Sequence, residues 1–330
     1  SGISLYIKKI WPEVKIIGVE PEDADAMSQS LEESKIVELS SVGQFADGVA
    51  VKKVGNNTFD IARKYIDKMI RVNTDEICAA IKDVFEDTRS ILEPAGALSI
   101  AGLKKDILNC NHSNKKMVAI ACGANMNFER LRFVAERAEL GECKEVMMAV
   151  EIPERAGSLI DFCKLLNNRN LTEFSYRMSN SINAQIFVGV QVYGLTDKKK
   201  LLDEFKNSQY PFIDISDDEL SKNHLRHMVG GRLPQNFKQM NNNLNELLYR
   251  FEFPERPGAL INFLKNMKSN WSISIFHYRN YGADVGKIVI GVLIDKNEIV
   301  EWYNFVQILG YKYWDETKND TYKLFLGASD

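Results

Sequence analysis

The chain has 330 residues, of which 45% are hydrophobic and 26% are charged, so it is long enough for two or three globular domains. Its 42 lysines and arginines stand against 45 aspartates and glutamates, and the resulting net charge of −3 argues against a surface built to bind nucleic acid. The one basic run, three lysines at 198–200, is typical of a solvated helix face.

The cysteines, histidines and apolar runs exclude several further classes of protein. Five scattered cysteines form no Cys-x-x-Cys pair, which argues against a disulfide scaffold or a structural zinc site and favours a reducing compartment such as cytoplasm, plastid or mitochondrion. The four histidines have no HExxH spacing. Since no apolar run approaches about 18 residues, we expect no membrane-spanning segment and no membrane partner.

Helical and strand patterns alternate through the first 141 residues. Apolar Ile3, Tyr6, Ile7 and Ile10 follow Ser1 at helical spacing, and we expect the sequence to begin inside a domain. The later patterns predict strands at 15–19, 69–72 and 117–121, and helices at 24–33, 58–68, 75–86, 94–105 and 128–139. Asn57 or Thr58 is the expected cap of the second of these helices. Such alternation predicts an α/β fold with a mostly parallel sheet.

The second half of the chain contains a tandem duplication. The segment IPERAGSLIDFCKLL begins at Ile152 and FPERPGALINFLKNM begins at Phe253, an offset of 101 residues; FSYR at 174–177 and FHYR at 276–279 match at an offset of 102. Both copies carry the pattern β-α-β-β-α-β, which is the ferredoxin-like arrangement. We therefore predict two small α/β domains at 142–230 and 244–330, joined by a linker rich in Gly, Asn and Gln.

The Pro-Glu-Arg-x-Gly segment of each copy lies between a strand and a helix. A tight turn there presents free backbone N–H groups at a helix N-terminus, which suits a small carboxylate. The alternative interpretation is that the glycine serves only to make the turn. This pattern resembles the ACT family of amino-acid-binding regulatory modules. The resemblance implies an effector site formed by Arg155, Gly157, Tyr176 and Arg177 in the first copy and by Arg256, Gly258, Tyr278 and Arg279 in the second. One residue of each Tyr-Arg pair could instead pack on the sheet, because adjacent strand residues point to opposite faces.

Two motifs in the first 141 residues are candidates for a ligand site. MVAIACGAN at 117–125 places Cys122 after an apolar strand, where α/β sheets gather their ligands. The Cys122 thiol could contact a ring nitrogen, or it could be a small buried hydrophobic group. FADGVAV at 45–51 contains Gly48, which permits close approach of the backbone to a flat ligand.

Segments at 16–24, 42–55, 84–105 and 122–142 resemble the biosynthetic threonine dehydratases. These are fold-type-II pyridoxal-phosphate enzymes with a regulatory ACT-like pair, so residues 1–141 would be the C-terminal portion of the catalytic domain. The resemblance implies deamination of L-threonine to 2-oxobutanoate, with isoleucine as inhibitor, valine opposing it, and a homotetramer. It also implies a cofactor contact from Cys122 to the pyridine nitrogen, and further contacts from Gly48, Val49, Glu93 and Gly123.

The sequence departs from that family at two places. The family's Schiff-base lysine and phosphate-binding loop lie upstream of the matched segments, so we expect no catalytic residue within this chain and no activity from it alone. A non-catalytic, amino-acid-binding regulatory protein is the alternative. Relatives such as serine racemase hold a divalent metal at positions that correspond to Glu20, Ala24 and Ala26; because Ala26 offers no ligand atom, we expect no metal there.

Overall fold

A computed structural model describes residues 1–110, 114–167, 169–178, 182–228, 243–254, 259–279 and 285–326. The chain forms two compact units, Ser1–Glu142 and Cys143–Asp330. Nearly all of the predicted linker, 229–242, lies outside the described residues. In the described part of the chain, no helix combines the length and the apolar character needed to cross a bilayer.

The first unit has two parallel strands surrounded by helices. Strand β1 pairs in register with β2, from Ile17 opposite Lys68 to Pro21 opposite Val72. Helices α4, α5 and α6 pack a core that includes Val72, Ile81 and Ala138. The elements are α1 (Gly2–Ile10), β1 (Ile17–Pro21), α2 (Ala26–Glu32), α3 (Asn56–Tyr65), β2 (Lys68–Val72), α4 (Thr74–Thr88), α5 (Pro94–Asn109) and α6 (Phe128–Gly141).

Two predicted features of this unit are wrong. Residues 117–121 form no strand, because a strand needs a hydrogen-bonded neighbour and none of the described residues supplies one. Val118 is 91% exposed, and the Ser99 hydroxyl donates to the Ile120 carbonyl at 2.6 Å. Helix α3 is capped by Gly55, and the hydroxyl of Thr58 donates to the Gly55 carbonyl within the first turn instead of capping the helix.

Helix α4 begins with a capping box. The Glu76 backbone N–H donates to Asn73 Oδ1 at 2.9 Å, and the Asn73 N–H donates to Glu76 Oε2 at 2.8 Å. We expect Asn73→Ala to lower the free energy of unfolding of this unit by about 1 kcal/mol, because one N–H at the helix start loses its acceptor. Denaturant titration checks this. Asn57→Ala, an exposed change in the first turn of α3, should alter stability by no more than about 0.5 kcal/mol; equal losses would contradict the capping role.

The two repeats of the second unit share one sheet of eight described strands, in the order β10-β7-β9-β8-β4-β5-β3-β6. Its strands are β3 (Glu145–Pro153), β4 (Leu171–Arg177), β5 (Asn183–Gln191), β6 (Phe212–Asp214), β7 (Leu244–Pro254), β8 (Ser272–Arg279), β9 (Val285–Asp295) and β10 (Lys312–Asp315). The longer helices are α7 (Ser158–Leu165), α8 (Leu195–Lys206), α10 (Ala259–Asn266) and α11 (Ile299–Leu309). They bury Phe162, Phe205, Phe263 and Trp302 in the main core.

The repeats meet through antiparallel pairing of β4 with β8. Ser175 lies opposite His277, and these two residues are also equivalent at the repeat offset of 102. Glu173 lies opposite Arg279 and Arg177 lies opposite Ile275, so the pairing is symmetric about the central pair. Each β4 or β8 residue on the helix-covered face therefore lies near residues of the other repeat. This arrangement allows one repeat to complete a site that begins in the other.

Each repeat extends beyond the ferredoxin-like pattern into a helical segment on the other face of the sheet. The Met147 N–H donates to the Ser216 hydroxyl at 3.0 Å, and the Leu248 N–H donates to the Thr317 hydroxyl at the same distance, again 101 residues on. The first segment is a π-helical turn, Ser221–Leu225, continued by α9 (Arg226–Met228), and the second is α12 (Asp320–Phe325). These two segments cover the face of the sheet that its longer helices leave open, and polar residues are buried beneath them.

Candidate functional site

In the first unit, Glu93 lies beside both motifs that were candidates for a ligand site, FADGVAV at 45–51 and MVAIACGAN at 117–125. Its N–H donates to the Gly123 carbonyl at 3.0 Å, and its Oε2 accepts from the Asn125 N–H at 2.9 Å. A Cβ added to Gly48 would lie 3.7 Å from Glu93 Oε1, and Gly123 has φ of +79° with the same carboxylate against it. The residues predicted to contact a cofactor at Gly48, Glu93 and Gly123 therefore lie together.

The first turn of α5 holds Cys122 in place. A Cβ on Gly96 would lie 1.3 Å from the Cys122 carbonyl oxygen, so only glycine allows this approach. Cys122 is exposed and its thiol is free, whereas Val49 is half-buried against the core of the unit. An accessible thiol between two loops that contain glycine suits the edge of a flat ring.

Glu20, the first of the three positions considered for a metal, is engaged by backbone and hydroxyl groups. Its Oε1 accepts from the Met27 N–H at 3.0 Å, and its Oε2 accepts from the Ser28 N–H at 2.8 Å and from the Ser28 hydroxyl at 2.7 Å. Within the described ranges, no group of three or more His, Cys, Asp or Glu side chains could hold a metal ion. The carboxylate of Glu20 thus secures the start of α2.

A cavity of about 280 Å³ lies between the two repeats of the second unit. Its volume lies just below the range of roughly 300–1,000 Å³ that is typical of ligand pockets. One wall is the β3–α7 turn and the other is the end of α10 with the turn into β8. The lining comprises Ile152, Pro153, Glu154, Arg155, Ala156, Gly157, Ser158, Leu159, Ile160, Tyr176, Leu264, Lys265, Met267, Lys268, Ser269, Trp271, Ser272 and Ile273.

The N-terminus of α7 faces this cavity without a capping side chain. Gly157, with φ of +90°, occupies the N-cap position, and since glycine has no side chain it supplies no capping hydrogen bond to the first turn. The N–H groups of Leu159 and Ile160 therefore lack the intrahelical acceptor that later residues have. Ser158 is only 4% exposed, and within the described part of the chain its hydroxyl has no hydrogen-bond partner. These donors are suited to a carboxylate.

Glu154 supplies the opposite charge in the same cavity. Burial raises the pKa of its carboxyl to about 6, and a hydrogen bond from the Tyr176 hydroxyl partly offsets that rise. The Tyr176 oxygen lies 2.8 and 2.7 Å from the two Glu154 oxygens and 3.1 Å from the Ile273 carbonyl of the second repeat. Because one hydroxyl proton serves both acceptors, Tyr176 links the Glu154 carboxylate to the facing repeat.

Arg177 and Arg279 lie elsewhere. Arg177 is buried on the face of the sheet away from α7, where its Nη1 donates to Glu246 at 2.5 Å and its Nη2 donates to the Leu326 carbonyl at 2.9 Å. Arg279 is buried at the equivalent position opposite Glu173, and Tyr278 lies opposite Phe174. The cavity contains Tyr176 and not Arg177. Arg256 and Gly258 lie outside the described residues.

The structure adds Glu154, Ser158 and Trp271 to the residues that the sequence nominated for this site. Glu154 belongs to the repeated Pro-Glu-Arg-x-Gly segment, so a signal for it was present in the sequence. Ser158 has no such signal, because the second copy carries Ala259 at the matching position. Trp271 reaches the cavity only through the pairing of the two repeats.

Two protein families match the chain. Residues 1–123 match the family described as pyridoxal-phosphate dependent enzyme. Residues 136–225 and 238–326 match the family described as the C-terminal regulatory domain of threonine dehydratase. The second match consists of two consecutive segments, in agreement with the duplication.

Curated relatives align with nearly the whole chain. A biosynthetic L-threonine dehydratase of Burkholderia multivorans is 49% identical over 326 residues, which are 99% of this chain and 63% of the relative. The corresponding protein of Escherichia coli is 44% identical over 99% of this chain and 62% of its own length. The mitochondrial threonine dehydratase of Saccharomyces cerevisiae is 44% identical over 99% of this chain and 58% of its own length. The chain thus spans about three-fifths of the length of these relatives.

Proposed function

Because this chain belongs to the family defined by the C-terminal regulatory domain of threonine dehydratase, we propose that it acts in a pyridoxal-phosphate-dependent dehydratase that converts L-threonine to 2-oxobutanoate and ammonia. The repeats would bind an amino-acid effector that controls this reaction. The observation that carries the regulatory part of the proposal is the cavity between the repeats, where the β3–α7 turn presents both a helix N-terminus and the Glu154 carboxylate.

The first unit would supply one part of the cofactor site. When bound, pyridoxal phosphate withdraws electrons from the bonds at the substrate Cα. Cys122 would contact the ring nitrogen with a thiol that carries no positive charge, and Gly48, Val49 and Gly123 would lie beside the ring. Glu93 would act by ordering the segment that contains Cys122, since its backbone and its carboxylate both bond to that segment.

Isoleucine is the proposed inhibitor at the cavity, with valine opposing its effect. The lining combines the donors of α7 and the carboxylate of Glu154 with apolar Leu159, Leu264, Met267, Trp271 and Ile273, which suits a branched apolar side chain. The coupling between effector and active site would be about 1–3 kcal/mol, the usual range for allosteric enzymes. A homotetramer is the proposed assembly, on the strength of the resemblance to the dehydratases alone.

The enzymatic part of the proposal predicts a specific product. The full-length gene product, supplied with pyridoxal phosphate and L-threonine, should form 2-oxobutanoate; L-isoleucine should reduce the rate and L-valine should restore it. A keto-acid assay checks all three effects. Absence of 2-oxobutanoate would refute the proposed reaction, and a rate that L-isoleucine leaves unchanged would refute the proposed regulation.

The binding part can be tested on the chain 1–330 by calorimetry. We expect saturable binding of L-isoleucine, because the cavity is built within one compact unit. Binding by a chain whose full-length product forms no 2-oxobutanoate would instead identify a non-catalytic regulatory protein. No binding at millimolar L-isoleucine would rule out the effector site.

A further inference from the structure

The β3–α7 turn brings two polar groups of opposite character to the cavity between the repeats, the Glu154 carboxylate and the N-terminus of α7. We propose that Glu154 recognises the α-ammonium group of the ligand while the N-terminus of α7 and Ser158 recognise its α-carboxylate, so that the site takes amino acids and rejects the matching 2-oxo acids. This inference rests on the proposed effector function of the same cavity and adds to it the rule by which ligands are selected.

The carboxylate side rests on two independent observations. The first turn of α7 has backbone donors and no capping side chain, since Gly157 is the N-cap. In addition, Ser158 belongs to the cavity lining, and its buried hydroxyl has no hydrogen-bond partner in the part of the chain that the structure describes. A buried hydroxyl without a hydrogen bond destabilises the folded protein, and a ligand oxygen that accepts from it removes this cost. A carboxylate that accepts from the Leu159 and Ile160 N–H groups would also reach this hydroxyl.

The ammonium side rests on an uncompensated carboxylate. Glu154 is half-buried, and among the described residues no lysine or arginine lies within ion-pair distance of its oxygens. Its polar contact is the Tyr176 hydroxyl from β4. A partly buried carboxylate without a cation is stabilised when a cation arrives, and the α-ammonium group supplies one together with up to three hydrogen bonds.

The other charged groups around the cavity do not neutralise Glu154. Arg155 lies in the same turn, Lys265 lies on α10, and Lys268 follows that helix; all three are exposed. Lys268 pairs with Glu298 and with Glu301. These cations are screened by solvent and favour an anionic group at the open side of the cavity. The placement of these cations therefore favours the ligand carboxylate at the open side of the cavity, and Glu154 remains available to bind the ammonium group.

A 2-oxo acid has the same carboxylate and the same side chain but carries a carbonyl oxygen in place of the ammonium group. That oxygen would meet the Glu154 carboxylate, and two acceptors without a shared proton repel each other. We expect strong discrimination between the amino acid and the 2-oxo acid, because the oxo acid also leaves the Glu154 carboxylate without a hydrogen-bond donor from the ligand. The sensor would then respond to the level of the amino acid and not to that of its keto precursor.

Protonation of Glu154 should make L-isoleucine binding depend on pH. The carboxyl has a pKa of about 6 because of its burial, and an adjacent ammonium group would lower that pKa. Binding at pH 6 should therefore release about half a proton, and L-isoleucine affinity should fall as the pH is lowered through 6. The ammonium group of the ligand stays charged throughout this range, so the change reports on the protein.

The experiment compares L-isoleucine with 3-methyl-2-oxopentanoate by calorimetry on chain 1–330 and on the variants Glu154→Gln and Ser158→Ala. The wild type should bind the oxo acid at least tenfold more weakly than L-isoleucine. Glu154→Gln should weaken L-isoleucine about 10- to 100-fold and reduce the preference over the oxo acid to a few-fold. Ser158→Ala, which introduces the residue of the second repeat, should weaken both ligands about three- to tenfold.

The matched control is Glu151→Gln, three residues earlier in the chain, on β3; Glu151 Oε1 accepts from Asn183, and the residue does not line the cavity. It should bind L-isoleucine as the wild type does. Equal affinity of the wild type for L-isoleucine and the oxo acid, or no proton release in buffers of different ionisation enthalpy, would overturn the role of Glu154 without any variant. Absence of L-isoleucine binding to the wild type would instead overturn the proposed effector function itself.

Discussion

Replacing Arg177 with methionine is expected to lower the free energy of unfolding of the second unit by about 3–5 kcal/mol while leaving the cavity between the repeats in place. The guanidinium of Arg177 and the carboxylate of Glu246 are both buried, and they join β4 of one repeat to β7 of the other. Glu246 also accepts from the hydroxyls of Ser274 at 2.5 Å and Tyr322 at 2.7 Å. Removal of the cation leaves a buried charge without its partner, which is the costly way to break such a pair.

Two further variants separate the buried charge from side-chain packing. Arg177→Met combined with Glu246→Gln should recover a large part of the loss, because the amide is neutral, its oxygen can accept from one of the Ser274 and Tyr322 hydroxyls, and its NH2 group can donate to the other. Arg250→Met removes an arginine from β7 that pairs with Glu316 near the surface, and it should cost no more than about 1 kcal/mol. Denaturant titration measures all three. Similar losses for Arg177 and Arg250, or additive losses in the double variant, would contradict the proposed origin of the effect.

Substitution of Gly96 by alanine should be the most damaging small change in the first unit. The added Cβ would overlap the Cys122 carbonyl oxygen, a backbone atom that cannot rotate away. We expect a loss of about 3 kcal/mol, at the upper end for overpacking, together with displacement of the segment that contains Cys122 and Gly123. Hydrogen exchange along α5, and along the segment itself, would detect both changes.

Gly2→Ala provides the comparison for Gly96→Ala. An added Cβ at Gly2 meets no heavy atom within 4 Å, and the residue lies in helix α1, so alanine should leave stability unchanged or raise it by up to about 1 kcal/mol. If Gly96→Ala proved as harmless as Gly2→Ala, the close contact between α5 and Cys122 could not be what positions the thiol.

The repeats could be predicted from sequence because their signal is local. The offset between Ile152 and Phe253 identifies both copies of the turn, and alternation along β4 shows that Tyr176 and Arg177 point to opposite faces. Alternation does not say which face carries the cavity. That choice depends on where α7 and α10 pack, and hence on the pairing of β4 with β8, which joins residues about 100 positions apart in the chain.

The same distinction between local and long-range determinants explains the errors. Residues 117–121 have the composition of a buried strand, but strand formation requires a neighbouring strand and depends on more than composition. The capping of α4 by Asn73 was predictable, because the Asn73–Glu76 spacing is contained in four residues. Ser158 could not be predicted as a site residue, since its importance comes from burial without a partner, a property of the packed structure.

The central claim, that the cavity between the repeats binds an amino acid by both of its charged groups, is tested most directly by a crystal structure with L-isoleucine. We predict the ligand against α7, with its carboxylate on the N–H groups of Leu159 and Ile160 and on the Ser158 hydroxyl, and with its ammonium group on Glu154. A ligand found outside this cavity, or one whose ammonium group points away from Glu154, would contradict it.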